Sequence, residues 1–399
     1  MAAWRGVLAA VYAGVVALLV VNTLPALVNV IALGLKWNDR ALGLLASADV
    51  AGITLGSLLG IPVVYRLTLR SVVLLGVAVL VLANVACALT HQESLMVAFR
   101  FLGGVASGFI LAACYALYSY VNPQRNFAAF CIAQMVSGFV GVTALPLLTA
   151  HFGWSSSFYS LALATSLALP LGLWVPAHAY QKEGQSDTPH GRTSAWVWAA
   201  VAGVVIYVIG EGAVWTFMER MGTTSGISER VVTFAVSLCT LAGVLGAVVT
   251  MFPSRRIGTM LPLVLSALLS VGSVWVMRTS SGALYVASLS GFTFAWLAFS
   301  TIQFAVIAKA DRGGTATISM STAWYAGFTI GPYLSGALVD RFGFVPVQVL
   351  GAGGVILALL LLVPLVLGQH RSPAIATMGS SDRLVGGTSL DSEPPPSRH

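Results

Sequence analysis

Residues 180–194 read Tyr-Gln-Lys-Glu-Gly-Gln-Ser-Asp-Thr-Pro-His-Gly-Arg-Thr-Ser, the only long polar stretch between apolar runs in this chain. In both directions from it the sequence falls into runs of about 20 or more mostly apolar residues, the length a helix needs to cross a bilayer core. Before the stretch these runs lie near 6–33, 41–64, 71–90, 95–121, 127–150 and 155–178. After it they lie near 195–218, 229–252, 259–277, 283–308, 315–339 and 345–368. The stretch therefore divides twelve expected spans six and six. A transmembrane β-barrel would instead show segments of about 10 residues with alternating hydrophobicity, so the spans are read as helices. Runs longer than 20 residues imply tilt or a kink, and Pro25 marks the expected kink in the first.

Composition closes off the other classes. Of 399 residues 57% are hydrophobic and 8% charged, against roughly 25% charged in a soluble domain. So few charges could not cover a water-soluble surface. The balance of 20 basic to 13 acidic residues gives a net charge of +7, yet the basic residues stand singly between apolar runs. A nucleic-acid binder would gather them into a patch, so none is expected. No G-x-x-x-x-G-K-[ST], H-E-x-x-H or G-x-S-x-G is present, and the six histidines are scattered, which argues against an ATP-driven pump or a membrane enzyme. The four cysteines lie inside apolar runs without metal or disulfide spacing; they are read as packing residues, and no metal or cofactor is expected. The apolar run after Arg5 is longer than a signal-peptide core and is read as the first span. Residues 370–399 are polar, rich in Pro, Ser and Gly, and expected to be disordered.

Charge in the short loops sets the expected orientation. With the N-terminus inside, thirteen basic residues face the cytoplasm and six the outside, with Arg100 alone inside a span. The positive-inside rule then puts both termini in the cytoplasm. The abundance of Ala, Gly, Val and Arg suggests a high-GC bacterium, hence a bacterial cytoplasmic (inner) membrane.

An offset of 190 residues relates the halves. It carries Leu55-Gly56 onto Leu245-Gly246, Arg66 onto Arg256, Gly141 onto Gly331, and Phe152-Gly153 onto Phe342-Gly343. The expected domains are thus a bundle over 1–179, a linker over 180–194, a second bundle over 195–369 and the tail. Parallel six-helix repeats build one large transporter class, with the substrate site between halves near the midplane.

The motifs that stand in register with this repeat resemble those of the major facilitator superfamily. Gly56-Ser-Leu-Leu-Gly-Ile-Pro-Val-Val-Tyr-Arg66-Leu-Thr-Leu-Arg70 is similar to its loop 2–3 motif without the usual acidic residue. Gly246 through Arg255-Arg256-Ile-Gly258 is a weaker second copy, and Arg100-Phe-Leu-Gly-Gly104-Val-Ala-Ser-Gly108 is similar to the fourth-span motif. Gly138, Gly141 and Pro146 resemble the fifth-span antiporter motif, whose Gly-Pro pair appears here in span eleven as Gly331-Pro332. Gly153-Trp154 with Phe158-Tyr159 resembles the start of span six. The resemblance implies alternating access, a gating role for Gly56, Arg66, Arg70, Arg255 and Arg256, and a cavity lined by spans one, four, seven and ten.

Three ionisable residues stand out within spans: Asp49 in span two, Arg100 in span four and Glu211 in span seven. Such groups are costly in a membrane and are functional hypotheses by default. All three fall roughly 8–12 Å below the expected outer edge at 1.5 Å per residue, so a mutual ion pair is geometrically open. Structural pairing or snorkelling of Arg100 to the interface is the bland alternative. Burial in an apolar cavity disfavours a carboxylate's charged form, which suits reversible protonation; Glu211 is the first candidate to exchange with Arg100 and Asp49 the second. The candidate substrate residues are Asn22 and Asn29, Tyr115 and Tyr118, Tyr207 and Trp215, and Trp296 and Gln303, each of which ordinary helix packing could also explain. As a set they are aromatic with few charges, which fits a small, partly apolar molecule. The expectation is a monomeric, proton-coupled efflux transporter, with uptake, facilitated diffusion or a non-transporting sensor as alternatives.

Overall fold

The computed structural model describes residues 2–118, 123–177, 194–250, 258–311 and 315–370, and among these the chain is a series of α-helices. The first crossing is made by α1 (Ala2–Ala17), α2 (Leu19–Asn22) and α3 (Leu24–Leu35) in succession. Then come α4 (Asp39–Arg66), α5 (Leu69–Leu89), α6 (Glu93–Tyr118), α7 (Pro123–Phe152), and α8 (Ser155–Ser166) continued by α9 (Ala168–Gly172). The second set is α10 (Ala195–Thr224), α11 (Glu229–Thr250), α12 (Met260–Val276), α13 (Gly282–Ala310), α14 (Thr315–Phe342) and α15 (Val345–His370). Taken as crossings these are twelve, six in each set. The linker residues 180–193, the tail 371–399, and Arg255 and Arg256 lie outside the described residues.

Local chemistry sets the helix limits. Asn38, Thr68 and Ser194 are N-caps whose side-chain oxygens accept from the backbone N–H of Ala41, Ser71 and Trp196, satisfying donors that have no intrahelical partner. In the first crossing the helix breaks at Leu18 and Thr23, and Pro25 falls in the first turn of α3 rather than at the bend. A proline lacks the N–H that position would leave unpaired anyway. The Thr23 hydroxyl donates to Leu19 O at 2.8 Å.

The 190-residue offset extends to backbone conformation. Gly153 and Gly343, which end α7 and α14, have φ of +81° and +62°. Lys36, just after α3, has φ 56°, and its counterpart Gly226, just after α10, has φ 83°.

Successive crossings alternate, so one end of the molecule carries the start of α1 and the end of α15, and the other, here the distal end, carries the α3–α4 and α10–α11 connections. The cores of the two ends differ. One continuous apolar cluster joins the second six helices to the distal parts of the first six, including Leu27, Ile31, Leu42 and Phe158. A separate cluster fills the terminal part of the first six, and among the described residues only Tyr325 of the second six packs against it. The halves are therefore fused distally.

Backbone contact seals that seam. A Cβ on Gly43 would lie 2.3 Å from Pro332 O, and one on Gly336 would lie 2.6 Å from Asp39 O, so α4 and α14 meet without side chains between them. At its rim Asp340 accepts from the backbone N–H of Asp39 at 3.0 Å and of Arg40 at 3.4 Å. Arg220 Nε donates to Asp39 Oδ1 at 2.5 Å, tying α10 to the same helix start.

Candidate functional site

The stripe Gly52–Gly56 of α4 meets Gly104–Gly108 of α6. A Cβ on Gly104 would lie 2.0 Å from Asp49 O, and one on Gly56 would lie 2.1 Å from Val105 O. Small residues let the two backbones touch, and this closeness has an electrostatic consequence. Arg100 lies one turn before Gly104, so its guanidinium is carried onto Asp49, with which it forms a buried ion pair. Its other terminal nitrogen donates to Asn84 Oδ1 of α5 at 2.7 Å. Arg100 is 1% exposed and Asp49 3%. The pair lies inside the first bundle and lines neither cavity described below. Gly56 serves the same helix contact rather than a loop. Arg66 is exposed at the end of α4, and Arg70 Nε donates to Val175 O at 2.9 Å within its own bundle.

Glu211 does not join this pair. Helix α10 runs to Thr224, six residues past the expected end. Glu211 thus lies thirteen residues, about 20 Å, from that end, deeper than Asp49 or Arg100. It is fully buried, neither carboxylate oxygen has a hydrogen bond of good geometry among the described residues, and the Tyr207 hydroxyl one turn back lies close enough to interact with it. On the preceding turn Tyr207 donates to Trp296 O at 3.2 Å and lies against Phe299.

A cavity of about 210 Å³ lies between the halves. Asn22, Gln134 and Met135 line it from one side, and Trp215, Trp296, Trp324, Tyr325 and Phe328 from the other, with Thr240 and Thr293. Trp296 stacks on Trp324 at 6.0 Å and 10° and meets Trp215 edge-on at 5.6 Å. The Trp215 indole N–H donates across the seam to Val21 O at 3.0 Å. Asn22 is hydrogen-bonded to Gln134. No charged side chain is among the lining residues.

Of the eight candidate substrate residues, Asn22, Trp215 and Trp296 line this cavity, and Asn29 lines a second, distal one. The others do not. Tyr118 is buried in the first bundle with its hydroxyl on Ala10 O at 2.7 Å, Tyr115 faces Tyr325 across the halves, and Tyr207 is held by Trp296 and Phe299. Gln303 is fully buried with both amide atoms unpartnered. The sequence reading missed Gln134 of α7 and the aromatic set Trp324, Tyr325 and Phe328 around Gly327. It also missed Glu219, which with Arg220 falls just beyond the apolar run 195–218.

A membrane protein of two six-helix sets, closed at one end around a cavity lined by both, is the class these features define. The profile of the Major Facilitator Superfamily matches residues 9–332, and the chain belongs to that family. A gallate transporter of Pseudomonas putida is 29% identical over 143 residues, covering 34% of this chain and 31% of that protein. A gentisate transporter of Corynebacterium glutamicum is 25% identical over 252 residues, covering 57% and 56%. The chain thus spans from just under a third to just over half of these relatives. The crystal structure of a D323A mutant of the nucleoside transporter NupG superposes with a TM-score of 0.72 at 15% identity, covering 92% of this chain and 100% of that one, a likeness of fold.

Proposed function

We propose that the protein is a secondary transporter that exports a small, flat, partly apolar molecule across a bacterial inner membrane by proton-coupled alternating access, with both termini in the cytoplasm. The observation that carries this reading is the cavity built from both halves. A dry cavity of about 150 Å³ accommodates one benzene ring, so 210 Å³ suits a single substituted ring. The tryptophan walls offer stacking worth about 0.5–1.5 kcal/mol per contact beyond burial. Asn22, Gln134, Thr240 and Thr293 offer hydrogen bonds. With no basic group at the wall, an anionic ring would enter without a counter-ion, which favours a neutral one. Gallate and gentisate, the ligands in the relatives' names, are single hydroxylated rings that also carry a carboxylate, so the uncharged wall favours a ring of that size without the carboxylate.

The coupling proton is assigned to Glu211, on the same helix as Trp215 and one turn from it. An ionised carboxylate buried without a partner costs several kcal/mol, so a movement that wets or seals its surroundings changes its proton affinity. That is the differential affinity coupling requires. The Asp49–Arg100 pair is second in line. The outward direction follows the antiporter-like Gly138, Gly141 and Pro146 of α7.

Everted membrane vesicles from an overexpressing strain, energised to be acid inside, test this reading with a panel of labelled phenols and hydroxybenzoates. Accumulation that a protonophore abolishes supports it. Equilibration without accumulation would mean facilitated diffusion, and no flux of any ring compound would overturn the substrate class. A cytoplasm-dependent reporter fused after His399 checks orientation; an inactive fusion on a well-inserted protein reverses it.

A further inference from the structure

A second cavity, of about 370 Å³, lies at the distal end between α3, α7, α10 and α11. Its lining includes Asn29, Trp154, Glu219 and Glu229 on otherwise apolar walls of Val30, Leu33 and Val232, with no basic side chain. Two of its polar groups are deeply buried and unsatisfied. Glu219 is 1% exposed and both of its carboxylate oxygens lack a partner; Asn29 is 9% exposed and its Oδ1 lacks one. Buried polar atoms are almost always hydrogen-bonded, so three vacant acceptors in one cavity are unusual. The neighbouring cation, Arg220, is turned away onto Asp39. Asn29 and Glu219 also stand 190 residues apart, so the same position of the repeat supplies an acceptor from each half.

The chemistry of this lining is one-sided. Every vacant group accepts and none donates a positive charge. The cavity is too large for a bare proton or a desolvated inorganic cation to satisfy, and falls at the lower end of the roughly 300–1,000 Å³ of small-molecule sites. The indole of Trp154, held edge-on by His91 at 5.1 Å, supplies an aromatic wall, and ammonium groups are attracted to indole faces. We propose that this distal cavity is a binding site for an organic ammonium ion, its N–H groups held by Glu219 and Asn29, its apolar part against Trp154 and Val232, and Glu229 attracting it from the rim. The site is separate from the central cavity, whose walls carry no charge, and the assignment does not depend on the direction of transport.

The test uses the full-length protein in lipid nanodiscs with 2-phenylethylammonium as probe and neutral 2-phenylethanol as control, read by calorimetric titration. We expect the amine to bind and the alcohol to bind at least tenfold more weakly. E219Q should weaken amine binding tenfold or more, and W154A by a smaller factor. N29D, which adds a carboxylate at the opposite wall, should strengthen it; this variant keeps the test decisive should E219Q fail to fold. Equal binding of amine and alcohol, or amine affinity unchanged in a folded E219Q and in N29D, overturns the proposal. So does sodium binding that E219Q abolishes while the amine does not bind.

Discussion

The first six helices bury an acid and a base and join them; the second six bury two acids, Glu211 and Glu219, and pair neither with a base among the described residues. The repeat makes the contrast direct, because the 190-residue offset carries Asp49 onto Cys239 and Arg100 onto Ser290. Where one half has an ion pair fixed by glycine packing, the other has two small neutral groups on the same pair of helices. A paired charge resists change, since moving either partner strands the other in a low-dielectric interior. An unpaired carboxylate can exchange a proton or a cation at little structural cost. The first half is thus built as a frame around its charges, and the second keeps its acids available.

The largest effect should come from breaking the frame. Arg100→Ala leaves Asp49 buried alone, and loss of one partner of a buried pair costs about 3–5 kcal/mol. The expected outcome is a sharp fall in yield and in thermal stability in detergent. Arg100→Lys should recover only part of it, because a point charge does not replace a planar fork bonded to both Asp49 and Asn84. The double substitution Asp49→Asn with Arg100→Gln removes both charges and should be more stable than Arg100→Ala alone. A single Arg100→Ala as stable as the native chain would mean the pair contributes nothing.

Glu211→Gln should behave in the opposite manner. No ion pair is lost and the amide can still meet the Tyr207 hydroxyl, so stability should change by no more than about 1 kcal/mol, while proton-driven accumulation falls to background and substrate binding persists. Unchanged pH dependence of transport in this variant would remove Glu211 from the coupling and leave Asp49 as the remaining candidate.

The distal rim sharpens the comparison further, because there the halves hold each other. Asp340 caps the start of α4 from the other half, and removing a cap costs about 1 kcal/mol, roughly a fivefold change in an equilibrium. Asp340→Ala should therefore loosen the distal closure. Ala41→Cys, at a buried site in α4, should react about fivefold faster with an impermeant maleimide in that background. Equal labelling rates would show that the glycine contacts at Gly43 and Gly336 suffice.

These differences also mark what the sequence could reveal. Twelve runs of apolar residues are legible because the bilayer imposes one length on every crossing, and the described helices fall within a few residues of them. The ends were less legible where tertiary pairing overrides composition. Glu219 and Arg220 look like loop residues, yet one is buried in a cavity and the other is spent on Asp39, so α10 continues and Glu211 is deeper than its count from an assumed edge. The pairing of Arg100 with Asp49 was open but not determined, since depth along a helix does not say which neighbour it faces; the glycine stripe that decides it is a packing fact. Half of the central cavity was missed for the same reason. Trp324, Tyr325 and Phe328 look like ordinary apolar residues until two halves are brought together.

The smallest effect expected is also the cleanest comparison of the repeats. Lys36 and Gly226 occupy the same position of the repeat, one residue past α3 and two past α10, and share a left-handed backbone, with φ of 56° and 83°. That conformation costs a residue with a Cβ roughly 1–2 kcal/mol, and glycine nothing. Replacing Lys36 by Gly removes this cost but also frees the unfolded chain, which takes back about 0.4–1 kcal/mol. The net expectation is a gain of about 0.5 kcal/mol, a rise of a degree or so in the thermal midpoint in detergent. Gly226→Ala incurs the left-handed cost and gains only the smaller entropy term, so it should lower the midpoint by a similar amount. Because nothing lies within 4 Å of a Cβ at Gly226, a clash cannot account for that loss. If Lys36→Gly destabilises instead, the exposed Lys36 side chain makes a contact worth more than its backbone strain, and the two helix ends are stabilised in different ways despite their matching geometry.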